Sequence, residues 1–141
     1  GTGLYMRAAL AELSLRPAAE GKESELWSSA TRHPTLMIGL NMDREALYER
    51  IDRRVDEIVA GGAREEVLQA DAAGASRTAR KALGFDELLA GDVETMRKRS
   101  RRYAGRQLTW MRKIHSLQEI DVTGRTPDEV AAEIDSLLFA P

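Results

Sequence analysis

Residues 93–113 constrain the fold more than any other part of the sequence, because apolar side chains recur there with the period of an α-helix. The same stretch carries eight basic residues, and no Asp or Glu interrupts them between Arg97 and Lys113. The pattern predicts one long helix with an apolar face and a basic face. The apolar positions are Val93, Met96, Ser100, Tyr103, Ala104, Leu108 and Met111, and the basic ones are Arg97, Lys98, Arg99, Arg101, Arg102, Arg106, Arg112 and Lys113.

Two short apolar runs, residues 35–40 and 117–122, indicate strands. The first run is nearly continuous, which is typical of a strand that is buried on both faces in a parallel sheet. The remaining stretches favour helices. The sequence therefore predicts an α/β fold, here a helix-rich fragment with about two parallel-sheet strands and five to six helices.

Capping signals predict where two helices begin and end. Asp43 can cap a helix that runs to about Ala60 and stops at Gly61-Gly62. The last helix has a cap, a proline at its first position and an acidic capping-box residue. Those three residues are Thr126, Pro127 and Glu129, and the apolar stripes are Leu47, Ile51, Val55, Ile58 and Val59 in the first helix and Val130, Ile134, Leu137 and Leu138 in the last.

Shorter helices are predicted at residues 4–13, 65–70 and 82–89, with a break in the last of them at Gly84. Residues 14–33 show no clear period and are interpreted as a connector. The whole of residues 1–141 is interpreted as one fragment of a larger α/β domain.

The composition excludes several kinds of site. The chain has no cysteine, so disulfides, thiolate catalysis and cysteine-based zinc sites are excluded. Its two histidines, His33 and His115, lie far apart, and no metal site is predicted. No apolar run is long enough to cross a membrane and no signal peptide is recognisable, so we expect a cytoplasmic protein without membrane contact.

The basic face of the long helix predicts binding to a nucleic acid. The guanidinium group of arginine matches the geometry of a phosphate. The chain has a net charge of −2, so the positive charge is concentrated in this one segment, which favours a nucleic-acid site there. Tyr103, Gln107 and Trp110 lie among the cations, where they could stack on or hydrogen-bond to unpaired bases. Gln107 also falls within the apolar face, so a specific hydrogen-bond partner is predicted for it. The alternative is a solvated face whose charges pair with acidic residues from elsewhere in the chain.

Two weaker features could bind phosphates. Arg50 and Arg54 are four residues apart and share a helix face, so they could clamp a diphosphate. The alternative, which spacing alone favours, is ion pairing with Glu57 or Asp43. A glycine turn at residues 1–3 precedes a predicted helix and could present backbone N–H groups to an anion. The sequence contains no GxxxxGK[ST] phosphate-binding loop.

Five stretches, in order along the chain, resemble the tRNA dimethylallyltransferases. Residues 1–8 (GTGLYMRA) resemble the family's GGTGLY-type turn, and residues 36–40 resemble a strand that precedes its LxxRIxxR helix, here residues 43–55. Residues 82–85 (ALGF) match its A-[IL]-G-[YF] turn. Residues 101–112 (RRYAGRQLTWMR) match its RRYAKRQLTWFR-type segment, which is long and unusual enough to be specific.

The resemblance implies an enzyme related to P-loop NTPases that transfers a dimethylallyl group from dimethylallyl diphosphate to N6 of the adenosine 3′-adjacent to the anticodon. It implies Mg²⁺ and a P-loop that hold the diphosphate, an Asp that acts as general base, and a target base flipped out of its stack. It assigns Thr2 to the catalytic site, in contact with the flipped adenosine, and Arg50 and Arg54 to the diphosphate. The positions implied to contact the tRNA anticodon stem-loop are Lys81, Ala82, Leu83, Gly84, Phe85, Asp86, Arg101, Arg102, Gly105, Arg106, Gln107, Leu108, Thr109, Trp110, Met111 and Arg112.

The sequence departs from the family pattern in ways that bear on activity. The P-loop, the Asp and the Mg²⁺ ligands are not found in this chain, and residues 14–33 stand where the family has a long insertion that grips tRNA. Gly105 replaces the usual Lys, and Asp86 stands where a basic residue is common. We therefore expect the chain alone to be inactive. The alternatives are a non-catalytic helical module that binds RNA or self-associates through an exposed sheet or apolar face, and a sister enzyme that prenylates free adenylate.

Overall fold

The structure is a computed structural model, and it describes residue 6, residues 8–10 and residues 31–139. Residues 31–139 form two parallel strands, five α-helices and a 3-10 helix at Ala79–Lys81, which confirms the predicted helix-rich α/β class. In chain order the elements are β1 (Met37–Asn41), α1 (Arg44–Ala60), α2 (Ala63–Ala72), α3 (Phe85–Ala90), α4 (Val93–Met111), β2 (Leu117–Asp121) and α5 (Pro127–Leu138).

The chain divides into two compact units. We call residues 1–42 and 107–141 the sheet unit, and Asp43–Arg106 the helical unit. Helix α4 begins in the helical unit, and its last turn belongs to the sheet unit. No helix among the described residues is long and apolar enough to cross a membrane.

The sheet unit is built on the parallel pairing of β1 with β2, in a register that joins Met37 to Leu117 and Asn41 to Asp121. Met37 and Ile120 are buried in its core. Gly39 allows close packing, because a Cβ built there would lie 2.5 Å from Cε of Met111. A side chain at residue 39 would therefore push Met111 away from the strand.

The prediction that β1 is buried on both faces was wrong for the part of the chain that the structure describes. Met37 and Gly39 are buried, but the alternate residues Leu36 and Leu40 are 40% and 53% exposed. A continuous apolar run does not reveal which of its faces is covered, since side chains alternate between the two faces of a strand. Among the described residues, one face of β1 is buried at Met37 and Gly39, and the other is half-buried at Ile38 and exposed at Leu36 and Leu40.

The predicted capping box opens α5. Oγ1 of Thr126 accepts a hydrogen bond from the backbone N–H of Glu129, and Oε2 of Glu129 accepts one from the backbone N–H of Thr126 at 2.7 Å. The backbone N–H and the hydroxyl of Thr126 both donate to the Glu129 carboxylate, and they hold the pKa of Glu129 below its usual value. Val130 of the predicted stripe is buried, whereas Leu138 is 54% exposed.

The core of the helical unit consists of Val55, Leu88 and Met96, so α1, α3 and α4 meet there. Helix α1 starts where the sequence predicted, because Oδ1 of Asp43 accepts from the backbone N–H groups of Glu45 and Ala46. The predicted apolar stripe of α1 is buried or half-buried throughout its length. Packing of this stripe fixes which residues of α1 face α4 and which face solvent.

Local sequence signals gave the short helices less accurately than the long ones. Helix α2 is longer than the predicted 65–70, and Gly62 precedes it with a left-handed φ of 86°. The predicted break at Gly84 is confirmed, because that residue has φ 97° immediately before α3. The predicted helix at residues 4–13 and the connector at 14–33 lie largely outside the described residues, although residues 6 and 8–10 are helical.

Candidate nucleic-acid interface

Three cations of the helical unit follow one another every four residues along α4. Lys98, Arg102 and Arg106 are all exposed. At 100° per residue they fall within an arc of about 80°, and we call this strip the outer face of α4. Among residues 31–139, neither Arg102 nor Arg106 lies in an ion pair with a carboxylate. The guanidinium of Arg106 lies 5.6 Å from the ring centroid of Tyr103, which is itself partly exposed.

One edge of this face is held to helix α1 by two ion pairs. Arg101 binds Asp52 through two hydrogen bonds, of which Nε to Oδ1 measures 3.0 Å. Arg97 binds Asp56 one helical turn away and also Glu94 on its own helix. The bonds to Asp52 raise the pKa of Arg101, and those to Asp56 and then Glu94 raise the pKa of Arg97. We call the two contacts between α1 and α4 the ladder.

The ring of Tyr48 extends the same contact. The guanidinium of Arg101 lies 5.2 Å from the ring centroid, while Arg44 lies 5.3 Å away and donates from Nε to the Tyr48 hydroxyl at 3.2 Å. A guanidinium over an aromatic face is attracted by the ring quadrupole. Arg101 is therefore fixed by an aromatic ring as well as by a carboxylate, and it is half-buried rather than presented to solvent.

The opposite edge of the outer face is held to helix α3. Arg99 forms an ion pair with Oε1 of Glu87, whose side chain is 5% exposed. The other oxygen of that carboxylate, Oε2, has no hydrogen-bond partner within the described residues. A carboxylate in this position depends on its one cation, because a buried charge without a partner is costly.

The predicted tRNA-contacting turn at residues 81–86 packs against the same edge. Phe85 is buried, and Arg80 lies over its ring at 5.6 Å while pairing with Asp71. A Cβ at Gly84 would lie 2.8 Å from Cε of Met96, so the turn touches α4 closely. The exposed residues of the turn are Lys81, Ala82, Leu83 and Asp86.

The predicted positions after Arg106 belong to the sheet unit. The prediction that Gln107 needs a specific hydrogen-bond partner was wrong for the described part of the chain, since its side chain is exposed and water can satisfy it. The helical period placed it on the apolar face, but no apolar element of the described chain covers that point. The exposed positions here are Gln107, Thr109 and Arg112, and the half-buried ones are Leu108, Trp110 and Met111.

Gly105 lies beside the outer face, about 20° around the helix from the direction of Lys98. Among the described residues a Cβ built at Gly105 meets nothing within 4 Å, and the φ of Gly105 is not in the left-handed region. Glycine in an exposed helix interior destabilises the fold by about 1 kcal/mol relative to alanine.

Arg50 and Arg54 lie on a different side of α1 from the ladder. Both are exposed, and at 100° per residue their mean direction is about 160° from that of Asp52 and Asp56. Nη1 of Arg54 lies 3.8 Å from Glu57, whose side chain is 57% exposed, so this pair contributes little. The geometry agrees with the ion-pairing alternative for Arg54. The diphosphate role of Arg50 and Arg54 stays a prediction.

The structure also bears on the remaining predicted sites. Among the described residues no three His, Asp or Glu side chains come together as possible metal ligands. Thr2, predicted to contact the flipped adenosine, lies outside the described residues.

The spacing of the ladder was visible in the sequence. Asp52 and Asp56 are separated by one helical turn, as are Arg97 and Arg101, which is the pattern of two helices that pair through charges. The periodicity of a single helix could not reveal that these residues pair, because the aspartates lie on α1 and the arginines on α4.

The chain is similar to known proteins both in sequence and in structure. A sequence model of the IPP transferase family matches residues 11–114. A tRNA dimethylallyltransferase from Shouchella clausii is 40% identical, over 64% of this chain and 32% of its own length. One from Lactococcus lactis subsp. lactis is 31% identical, over 92% of this chain and 49% of its own. The crystal structure of a full-length tRNA isopentenylpyrophosphate transferase from Bacillus halodurans superimposes with a TM-score of 0.71 at 33% identity, over 77% of this chain and 39% of that one. The chain thus spans about a third to a half of the length of these relatives.

Proposed function

Because the chain belongs to the IPP transferase family, we propose that it supplies the tRNA-contacting surface of an enzyme that prenylates tRNA. The reaction proposed is transfer of a dimethylallyl group from dimethylallyl diphosphate to N6 of the adenosine 3′-adjacent to the anticodon. The outer face of α4 would lie against the phosphates of the anticodon stem-loop. The observation that carries this role is a contrast between two neighbours: Arg101 is ion-paired, whereas Arg102 is exposed and has no carboxylate partner among the residues that the structure describes.

The physical argument is electrostatic. A nucleic acid gains affinity when cations replace its condensed counterions, and a guanidinium already bound to a carboxylate offers less for that exchange. The three cations of the outer face would contribute to RNA binding, whereas the arginines at its edges would hold it in place. The turn at residues 81–86 would add contacts beside it, since α3 and α4 hold that turn.

A binding experiment tests the proposal. Arg102→Gln and Arg106→Gln should each weaken binding of an anticodon stem-loop RNA, and each should reduce the slope of log K against log salt by about 0.7–0.9. Arg53→Gln is the matched control, because Arg53 is an exposed arginine of α1 away from the outer face. Equal affinity and slope for Arg102→Gln, Arg106→Gln and the unsubstituted chain would overturn the proposed role.

The chemical step would depend on residues beyond those that carry RNA contact. The Mg²⁺ and the diphosphate would be held by a P-loop that this sequence does not contain. The reaction would take place in the cytoplasm. We expect no prenylated adenosine when this chain alone is incubated with Mg²⁺, dimethylallyl diphosphate and an anticodon stem-loop. Prenylated product detected by mass spectrometry would contradict this expectation.

A second candidate function is self-association of the sheet unit. Several large apolar residues of the sheet unit are exposed. If they form one contiguous patch, that patch would mark an interaction site. If this surface pairs two copies, sedimentation velocity should show a dimer whose population grows with protein concentration, and Leu40→Lys should abolish it. The exposed residues are Leu36, Leu40, Leu138 and Phe139, at 40%, 53%, 54% and 83%.

A further inference from the structure

We propose that Arg77 is a further RNA-contacting residue, which binds a phosphodiester of the same RNA that lies against the outer face of α4. The inference rests on the proposed function and extends its RNA-contacting surface. The extension is the stretch that leads into the turn at residues 81–86. We call this stretch, residues 73–81, the basic segment.

The charge of the basic segment is unbalanced. It carries Arg77, Arg80 and Lys81, and no Asp or Glu occurs between Asp71 and Asp86. A concentration of positive charge attracts an anionic partner, and the phosphates of a nucleic acid are such a partner. The alternative is that carboxylates of other elements pair with these cations.

The structure separates one paired cation of the basic segment from two others. Arg80 forms an ion pair with Asp71 and lies over the ring of Phe85, 5.6 Å from its centroid. Arg77 and Lys81 are exposed, and neither forms an ion pair with a carboxylate of the described residues. Arg80 therefore holds the segment in place, whereas Arg77 and Lys81 are available to a ligand.

Hydrogen bonds fix the backbone that carries Arg77. Oγ of Ser76 accepts a hydrogen bond from the backbone N–H of Ala79 at 3.1 Å, and the backbone N–H of Arg80 donates to the carbonyl of Ser76 at 3.0 Å. Nε of Arg80 donates to the carbonyl of Ala75 at 3.3 Å. An ordered backbone lowers the entropic cost of binding, because less of the chain has to be immobilised when the ligand arrives.

The basic segment leads directly into the turn that packs against α4. A Cβ at Gly84 would lie 2.8 Å from Cε of Met96, and the next residue, Phe85, is buried. Arg77 and the outer face of α4 belong to the same compact unit. A stem-loop presents a continuous series of phosphates, so one RNA molecule can contact both groups of cations.

A first experiment measures affinity. Arg77→Gln should weaken binding of an anticodon stem-loop RNA about five- to eightfold at 0.1 M salt relative to 1 M salt, since one lost phosphate contact reduces the slope of log K against log salt by about 0.7–0.9. Its Tm should equal that of the unsubstituted chain, because the exposed side chain forms no ion pair among the described residues. Arg53→Gln is the matched control, an exposed arginine of α1, and should leave affinity and slope unchanged.

A second experiment measures proximity, and the absence of cysteine from the chain makes it specific. Arg77→Cys introduces a single thiol, to which an iron–EDTA group that cleaves nearby RNA can be attached. The labelled Arg77→Cys and Arg102→Cys variants should both cut the stem-loop, whereas labelled Arg53→Cys should not. The positions of the cuts identify the nucleotides that lie beside each residue.

Two results would overturn the inference. One is unchanged affinity and slope for Arg77→Gln, and the other is no cleavage by labelled Arg77→Cys where labelled Arg102→Cys cuts the RNA. Arg102→Gln, measured in parallel, separates this inference from the proposed function. If Arg102→Gln weakens binding and Arg77→Gln does not, only the role of Arg77 fails; if neither changes binding, the RNA-contacting role of α4 fails as well.

Discussion

The edges of α4 and its outer face carry the same kind of side chain in opposite environments. Arg101 binds Asp52 and Arg99 binds Glu87, whereas Arg102 has no carboxylate partner among the residues that the structure describes. Arg101 and Arg102 are consecutive, so a rotation of about 100° around the helix separates these two environments. The position of an arginine around the helix therefore decides whether it stabilises the fold or is available to a ligand.

The largest effect is expected where the edge contact is buried. Arg99→Met should lower the free energy of unfolding by about 2 kcal/mol, since Glu87 would keep a buried charge without its cation. We place the loss below the usual range for breaking buried pairs because the side chain of Arg99 is 44% exposed. Urea unfolding followed by circular dichroism measures it.

The double variant Glu87→Leu with Arg99→Met provides the control for this prediction. Removing both charges should recover much of the lost stability, because the penalty comes from the unpaired carboxylate. If the loss in free energy of unfolding of the double variant equals the sum of the losses of the two single variants, the ion pair does not hold this edge of α4.

A somewhat smaller effect is expected at the turn beside α3. Gly84→Ala should lower the free energy of unfolding by about 1 kcal/mol, because φ 97° is strained for alanine and the new Cβ would press on Met96. Thermal melting compares the variant with Gly74→Ala, where φ is 79° but a Cβ would meet no atom of the described residues within 4 Å. The difference between the two isolates the contact with Met96. If Gly74→Ala lowers the stability as much as Gly84→Ala does, the contact between the turn and Met96 does not contribute to the loss.

A pH-dependent effect is expected at the start of α4. Asp92 accepts hydrogen bonds from the hydroxyl of Thr95 at 2.7 Å and from its backbone N–H at 3.0 Å, and these bonds hold the pKa of Asp92 below its usual value. Its stabilising contribution is therefore complete above the unfolded-state pKa and is lost as the pH falls below about 4. Asp92→Asn should lose stability at pH 7 and show a weaker fall in Tm between pH 5 and pH 3. An equal fall in Tm for Asp92→Asn and for the unsubstituted chain would exclude Asp92 as the cause of the pH dependence.

The smallest effect on stability is expected on the outer face itself. The free energy of unfolding of Arg102→Gln should lie within about 0.5 kcal/mol of that of the unsubstituted chain. No carboxylate of the described residues forms an ion pair with Arg102. Urea midpoints measured in the same buffer as RNA binding are sufficient. A loss as large as that of Arg99→Met would erase the distinction between the two groups of arginines.

Local features were predicted well because their causes are local. The caps formed by Asp43 and Thr126 involve residues within three positions of each other, and the structure shows both. The length and faces of α4 follow from one period, so they too could be derived from sequence alone. The turn at Gly84 required only a residue that tolerates positive φ.

Features that depend on a second element were not predicted. The basic run gave no indication of which of its arginines would meet Asp52 or Glu87, because those carboxylates stand on other helices. The same limit explains Gln107, since periodicity identified its face of α4 but not whether another element covers it. The sequence thus shows the cations of the proposed site. Only the tertiary structure shows which of them form ion pairs with the described carboxylates and which do not.

The ladder also specifies how α1 and α4 align along their lengths. In the observed alignment Arg97 meets Asp56 and Arg101 meets Asp52, so the helices run antiparallel through this contact. Sliding one helix by a full turn would keep a single pair and leave the other carboxylate facing Gly105 or Val93. Each slipped alignment therefore loses one ion pair, so the two aspartates favour a single alignment of the helix that displays Lys98, Arg102 and Arg106.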